Sequence, residues 1–230
     1  MSGLRALLVF AKTPNPGKVK TRLIAAVSAR DAAVLQAACI ADTLRLVRQM
    51  RGCDGIVFAA GGTSYFSRLV KKFGHGARVQ VLQQRGTDLG SRMENAFRKC
   101  FAMGYREVVV IGTDTPWMGA ERVLRAFAEL KTKDVVIGPA DDGGYYLLGM
   151  RTMMPDIFQG ISWSTDRVLD LTLKAIVRCK LRKKLLRRDF DLDRPEDLER
   201  AARMLKKRPR MAPALAAEVD RIYVQRKSRC

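Results

Sequence analysis

Short apolar runs alternate along this chain with stretches whose apolar positions recur at helical spacing. Leu7-Leu8-Val9-Phe10-Ala11, Ile56-Val57-Phe58-Ala59-Ala60, Val79-Gln80-Val81-Leu82, Val108-Val109-Val110-Ile111, Val135-Val136-Ile137-Gly138 and Tyr145-Tyr146-Leu147-Leu148-Gly149 predict strands. Lys184-Leu185-Leu186-Arg187 predicts a last one. Between them, helices are predicted over 29–50, 64–73, 89–103, 120–130, 165–179, 195–205 and 213–225. The first carries Val34, Leu35, Ala38, Ala41, Leu44 and Val47 on one face, and Pro195 with Glu196-Asp197 suits the start of the sixth. The run at 108–111 is β-branched throughout, which places it at the centre of a buried sheet. This alternation predicts an α/β fold, a mostly parallel sheet with helices on both faces. No internal repeat or low-complexity linker interrupts it. The expected organisation is one domain over 1–210 and a C-terminal helix with a basic tail over 211–230.

The segment after the first strand changes the picture from fold to chemistry. Lys12-Thr13-Pro14-Asn15-Pro16-Gly17-Lys18-Val19-Lys20-Thr21-Arg22 breaks the strand with two prolines and a glycine and puts Lys12, Lys18, Lys20 and Arg22 in one irregular loop. Ligands of open α/β sheets bind beyond the carboxyl ends of the strands, where this loop lies. Four cations so close repel one another unless they face water or a polyanion, and a nucleotide polyphosphate is the natural occupant; a solvated basic loop is the alternative. Gly17-Lys18 is followed by valine, so this is not the phosphate loop of P-loop NTPases, and the three-glycine dinucleotide fingerprint is absent.

Carboxylates gather at the same predicted edge. The central strand runs into Gly112-Thr113-Asp114-Thr115-Pro116, Asp141-Asp142-Gly143-Gly144 follows another strand, and Asp191-Leu192-Asp193 follows the last. Magnesium bridging substrate phosphates is held by one or two carboxylates so placed, although an aspartate there can also cap the next turn. Alternation along an extended segment points Asp191 and Asp193 to one side. Gly143 and Gly144 would let a base or sugar approach the backbone.

The chain has 230 residues, 47% of them hydrophobic, enough for a full core, and a formal net charge of +20 that attracts nucleic acid, anionic membrane or polyphosphate ligands. No apolar run approaches the roughly 20 residues of a membrane span, and a strand begins within a few residues of Met1, leaving no room for a secretory signal. Five scattered cysteines without metal or redox spacing read as reduced thiols, so a cytoplasmic location is expected. One histidine, His75, in a Gly-His-Gly context argues against a zinc site or a Ser-His-Asp triad. Basic residues cluster over 178–188 and 206–210 and in the tail, without any recognisable nucleic-acid module.

The ordered blocks Phe10-Ala11-Lys12…Pro16-Gly17-Lys18-Val19-Lys20-Thr21-Arg22-Leu23, Asp88-Leu89-Gly90-Ser91-Arg92-Met93, Gly112-Thr113-Asp114-Thr115-Pro116, Asp141-Asp142-Gly143-Gly144-Tyr145-Tyr146-Leu147-Leu148-Gly149 and Trp163-Ser164-Thr165 resemble the bacterial radical-SAM/selenodomain-associated transferases, a group classed with the glycosyltransferases. That group is itself similar to 2-phospholactate guanylyltransferase and molybdenum-cofactor guanylyltransferase. The resemblance implies the nucleotide-diphosphosugar transferase (GT-A) fold, with Lys12, Lys20 and Arg22 at phosphates, and Ala11, Gly17, Lys18, Thr21, Arg92 and Thr113 beside the nucleotide. It further implies Asp88-Leu89-Gly90 near base and ribose, and Asp114 with Asp191 or Asp193 on a Mg²⁺ or Mn²⁺ ion. Asp142, Gly143, Gly144, Tyr145, Trp163, Ser164 and Thr165 would face the acceptor; a buried tryptophan followed by a helix cap is the other reading of the last three.

The expected activity is nucleotidyl transfer from an NTP to a small phosphorylated or hydroxylated acceptor, with Lys20, Arg22 and Asp114 as catalytic residues and pyrophosphate leaving. A glycosyltransferase using a nucleotide sugar is the alternative. A non-catalytic basic protein binding RNA or a membrane surface is the reading from another class, and the retained carboxylates and loop cations argue against it. Four loop cations favour a triphosphate. The residues name no base, acceptor or oligomeric state.

Overall fold

In the computed structural model, residues 5–73 and 79–227 are described; His75 and Cys230 lie outside the described residues. The elements in chain order are β1 (Arg5–Lys12), α1 (Ala29–Gln49), β2 (Asp54–Ala60), α2 (Ser64–Phe73), β3 (Val79–Gln83), α3 (Leu89–Ala102), β4 (Glu107–Ile111), α4 (Ala120–Leu130), β5 (Val135–Pro139), β6 (Tyr145–Met150), α5 (Val168–Arg178), β7 (Lys183–Leu185), α6 (Pro195–Lys207) and α7 (Pro213–Lys227). The strands form one seven-stranded sheet in the order β3-β2-β1-β4-β6-β5-β7. All run parallel except β6, which is antiparallel to both β4 and β5.

The alternation of side chains along β1 divides the core. Leu7, Val9 and Ala11 pack with Ile40, Leu44 and Val47 of α1, Phe66 of α2 and Val123, Phe127 and Leu130 of α4. Ala6 and Leu8 face the other way, against Met93, Phe97 and Cys100 of α3 and Leu169 and Ile176 of α5. A third cluster lies outside the two-faced sandwich: Ala32, Leu35 and Cys39 on the outer side of α1 meet Phe190, Leu192, Leu198 and Leu205, and Leu215, Val219 and Ile222 of α7. Asp42 of α1 accepts the free amides of Ala214 and Leu215 at the start of α7, fixing where that helix begins.

Several predicted boundaries move: the last strand is Lys183–Leu185 and not 184–187, and α6 runs on to Lys207. The fifth helix begins at Val168, not at 165: Ser164 takes a positive φ of 63°, and the Thr165 hydroxyl donates to the Ser162 carbonyl and accepts the Arg167 amide, making a turn. The basic stretch over 178–188 also has a structural explanation. Arg182 forms a two-pronged pair with Asp134, and β7 brings Lys183 and Lys184 to the sheet edge, where lysines discourage pairing with another chain.

The chain reverses direction across the sheet between β1 and β4. After β1 it crosses to β2 and β3 on one side, and later returns to β4 on the other. The crevice beyond the carboxyl ends of β1 and β4 is therefore the topological switch point, where open α/β sheets bind ligands.

Candidate active site

Two segments meet at this crevice. The loop after β1 turns through Lys20, held at φ 44° and ψ 42°, a left-handed conformation that costs a non-glycine residue free energy. The turn sends the Lys20 side chain inward, where only 3% of it is exposed, and its ammonium donates to Asp114 Oδ1 at 2.6 Å and to the Leu192 carbonyl at 2.6 Å. Burial opposes the charge on Lys20, but the carboxylate of Asp114 outweighs it and the lysine pKa is raised.

The segment that brings Leu192 there runs on from β7 beside β5. Leu186 donates to the Ile137 carbonyl, Asp189 to the Pro139 carbonyl and Asp141 to the Asp189 carbonyl, so residues 186–189 carry the chain to the carboxyl edge of the sheet. Leu192 is fully buried in the third cluster, leaving Asp191 and Asp193 on either side of it to face the crevice. The Leu192 amide donates to the Asp114 carbonyl at 2.8 Å, and the Thr115 hydroxyl donates to Asp191 Oδ1 at 2.5 Å. Asp193 pairs with Arg22 at 2.5 Å. Gln36, buried in α1, donates to the Thr113 hydroxyl at 2.9 Å and braces the same loop.

Asp191 is the electrostatic centre of the cluster. Burial, then the charges of Asp114 and Asp142, push its carboxyl up to about 7, against the Thr115 hydroxyl and Lys20, which favour the anion. Asp142 also faces Arg22. Asp114 and Asp142, from two separate segments, thus both repel a charge on Asp191. Among the described residues no group of three or more histidine, cysteine, aspartate or glutamate side chains converges closely enough to form a complete metal cage. Magnesium does not need one: it takes one or two carboxylates and completes its shell with water and substrate phosphates. Asp114, whose side chain is half exposed, and Asp191 beside it fit that donor set, and a cation between them would relieve the repulsion.

The expected site residues divide. Lys20, Arg22, Asp114, Asp142, Asp191 and Asp193 come together with Thr113 behind them. Lys12, Gly17, Lys18 and Thr21 are exposed on the β1 loop, whereas the Ala11 side chain is buried in the core and leaves only its backbone for a ligand. Of the four loop cations expected to face a polyphosphate, Lys20 is turned inward and Arg22 is engaged with Asp193, which leaves Lys12 and Lys18 facing solvent.

A second group forms beside the first. Asp88 caps α3, accepting the Ser91 amide at 2.8 Å while Ser91 Oγ accepts the Asp88 amide, and Arg92 reaches back to the Gly86 carbonyl. Leu89 is 43% exposed at the mouth of this turn. A Cβ at Gly90 would lie 2.1 Å from the Trp163 ring, so the indole packs on that glycine. A Cβ at Gly143, where φ is +88°, would lie 2.0 Å from the Asp166 carbonyl oxygen. The space at Gly143 is filled by the chain itself, not left open to a sugar or base, and at Gly144 it faces the Asp142 carboxylate. The Tyr145 hydroxyl, expected to face an acceptor, is buried beside Thr172 of α5, and burial raises its pKa.

Residues absent from the sequence motifs complete the frame. Asp189 is held by the Trp117 indole and by a close pair with Arg122, whose guanidinium lies over the Tyr146 ring. Arg200 pairs with Asp141 at 2.7 Å and stacks on Phe190. The signal in the chain was the set of polar residues Gln36, Asp42 and Thr43 among the otherwise apolar buried positions of α1.

Residues 43–165 match the family described as "Uncharacterized protein conserved in bacteria (DUF2064)", and the chain belongs to that family. A crystal structure from Desulfovibrio desulfuricans G20, provisionally named a nucleotide-diphospho-sugar transferase, is 34% identical, covers 97% of this chain and 98% of its own, and superimposes with a TM-score of 0.86. The fold is that of the nucleotide-diphospho-sugar transferases. CMP:2-keto-3-deoxy-manno-octonic acid synthetase, solved with CTP, shares the fold at a TM-score of 0.53 and 12% identity over 88% of this chain and 99% of that one. 4-Diphosphocytidyl-2C-methyl-D-erythritol synthase from Anaerococcus prevotii does so at 0.58 and 11% over 88% and 97%. No curated protein matches the sequence.

Proposed function

We propose that this DUF2064 protein is a metal-dependent, nucleotide-using transferase that moves a nucleotidyl group from an NTP to a small phosphorylated or hydroxylated acceptor. The observation that carries this reading is Asp114 at the end of β4, facing Asp191 across the switch-point crevice with Lys20 between the two segments. An acceptor phosphate oxygen, or a hydroxyl oxygen that gives its proton to water, forms the new bond to the α-phosphorus as the bond from that phosphorus to the α–β bridging oxygen breaks and pyrophosphate leaves. A Mg²⁺ or Mn²⁺ ion held by Asp114 and Asp191 would neutralise charge developing on the phosphate oxygens. Lys12 and Lys18 meet the departing phosphates, Lys20 holds Asp114 in place, and Arg22 holds Asp193. The exposed turn around Asp88, Leu89 and Gly90 receives the nucleoside. Trp163 and the loop behind Gly143 wall the acceptor side.

Transfer of a sugar from a nucleotide sugar is the second reading. It is favoured by the 34% identical relative's name and by the two free loop cations, which suit a diphosphate as well as a triphosphate. The two differ in which bond breaks. Nucleotidyl transfer is reversible through pyrophosphate, so labelled pyrophosphate exchanges into the NTP; a glycosyltransferase keeps the α–β bond and releases nucleoside diphosphate. The assay supplies each NTP or nucleotide sugar with Mg²⁺ and a pool of phosphorylated acids and alcohols. Nucleoside diphosphate from a nucleotide sugar, with no pyrophosphate exchange for any NTP, would reject nucleotidyl transfer. Neither product with any donor would reject both.

A further inference from the structure

The end of the sheet opposite the crevice carries much of the unbalanced positive charge. The parallel strands begin there, β6 ends there, and α1, α3, α4 and α5 finish there. Each described connection at this end presents an exposed cation: Arg51 before β2, Arg106 before β4, Lys131 before β5, Arg151 after β6 and Lys180 before β7. Three acids at the same level are engaged: Glu107 with Arg5, Asp134 with Arg182 and more distantly Arg151, and Asp54 with the Tyr105 hydroxyl. The exposed Asp156 beside Arg178 offsets one cation and leaves the excess positive. Cations suit helix C-termini, which accounts for the last-turn residues Arg48, Lys99 and Arg178 but not for the connections beyond them.

Two aliphatic side chains stand out among these cations. Met103, closing α3, is 39% exposed and Val177, in the last turn of α5, is 63% exposed; both helices cover the same sheet face. The large hydrophobic side chains exposed on the described surface are all aliphatic, with no aromatic platform on which unpaired bases would stack. Seven strands about 4.8 Å apart make this end roughly 30 Å wide, a broad face and not a groove that would follow a polynucleotide backbone.

We propose that the amino end of the sheet is a docking surface for an anionic lipid bilayer. Its cations meet the headgroup phosphates, and Met103 and Val177 reach the boundary of the acyl region. No helix among the described residues is long and apolar enough to cross a membrane, so attachment is peripheral. The crevice then points away from the bilayer, and its substrates arrive from solution.

The full-length protein is tested by co-sedimentation with vesicles of phosphatidylcholine alone and of phosphatidylcholine with phosphatidylglycerol. Binding is expected to the anionic vesicles only and to weaken with added salt. Because each cation near such a surface contributes about fivefold to partitioning, R51E/R106E/K131E should lose at least about a hundredfold. Val177→Ser should weaken binding several-fold. R30E/R85E/R167E changes net charge equally at the crevice end and should keep the binding. Thermal stabilisation by NTP and nucleotide sugars, unchanged in R51E/R106E/K131E, separates failure of this proposal from failure of the proposed activity. Equal loss in the two triple variants, equal binding to neutral vesicles, or tighter binding of a single-stranded RNA oligonucleotide that R51E/R106E/K131E also abolishes would overturn it.

Discussion

Lys20 and Asp114, 94 residues apart, form one unit: a lysine in a left-handed backbone turn buries its ammonium against the carboxylate that ends the central strand. The ammonium is shared with the Leu192 carbonyl, so a single side chain ties the β1 loop, the β4 loop and the 189–193 segment together. Breaking a fully buried pair costs about 3–5 kcal/mol, and Asp114 is half exposed, so Lys20→Met should cost roughly 2 kcal/mol. It should also abolish turnover, because Asp114 loses its position. Urea unfolding with a turnover assay checks both; an active variant of unchanged stability would remove Lys20 from the frame of the site.

Asp191 should make stability, and on the proposed function metal binding, depend on pH. Its folded carboxyl is raised to about 7 by burial and by Asp114, above the ordinary value of 3.8. A raised acid stabilises fully below the unfolded value and loses that contribution as pH climbs through the folded one. Asp191→Asn should therefore match wild type in acid and become more stable between about pH 4 and 7, by roughly 2–4 kcal/mol at the top of that window. On the proposed function, nucleotide with Mg²⁺ should bind wild type more tightly as pH rises toward about 7, with release of a proton, and level off above it. Parallel denaturation curves over this range are the measurement, and a constant difference between the two proteins would refute the assignment.

The loop cations should separate by role. Lys12 and Lys18 face solvent, so replacing both by alanine should weaken nucleotide binding by about 1.5–3 kcal/mol per lost charge-assisted contact while leaving the melting temperature unchanged. Asp114→Asn should instead remove the metal dependence of binding. Calorimetric titration with and without Mg²⁺ distinguishes them, and metal-dependent binding in the Asp114 variant would exclude it as a ligand.

Gly143 and Gly90 set how closely their loops pack on Asp166 and Trp163. Gly143→Ala puts a methyl at positive φ into the Asp166 carbonyl, and a backbone atom cannot swing aside. A loss of at least about 2 kcal/mol is expected, against a smaller one for Gly90→Ala if the Trp163 ring can tilt. Tryptophan fluorescence read alongside the melting temperature should change for Gly90→Ala; an unshifted spectrum would mean that the indole does not rest on that glycine.

Strands whose residues are apolar throughout, such as 108–111, are legible because burial on both faces leaves no other option. The direction of β6 is not, since a run of apolar residues reads the same whichever way it crosses the sheet. The chemical blocks were visible as clusters of charge, but charge alone does not say which way a side chain turns. Lys20 resembled Lys18 in the sequence; only a carboxylate brought from 94 positions away made one of them a buried brace and left the other in solvent. Glycine was legible as a need for space, not as a statement of what fills it: at Gly143 the occupant is Asp166, not a ligand. The fifth helix started late because Thr165 commits its hydroxyl to a turn.

The third core has a consequence for the order in which this protein becomes functional. Asp191 is held in place by Phe190 and Leu192, whose side chains are anchored against α1 together with the helices that end the chain. On a ribosome, the β1 loop, α1 and Asp114 are all made long before their counterpart carboxylate has anything to lean on. The crevice therefore matures last, when α6 and α7 close over α1. Nascent or prematurely terminated chains would carry the recognisable middle of the family without the helices that anchor Asp191.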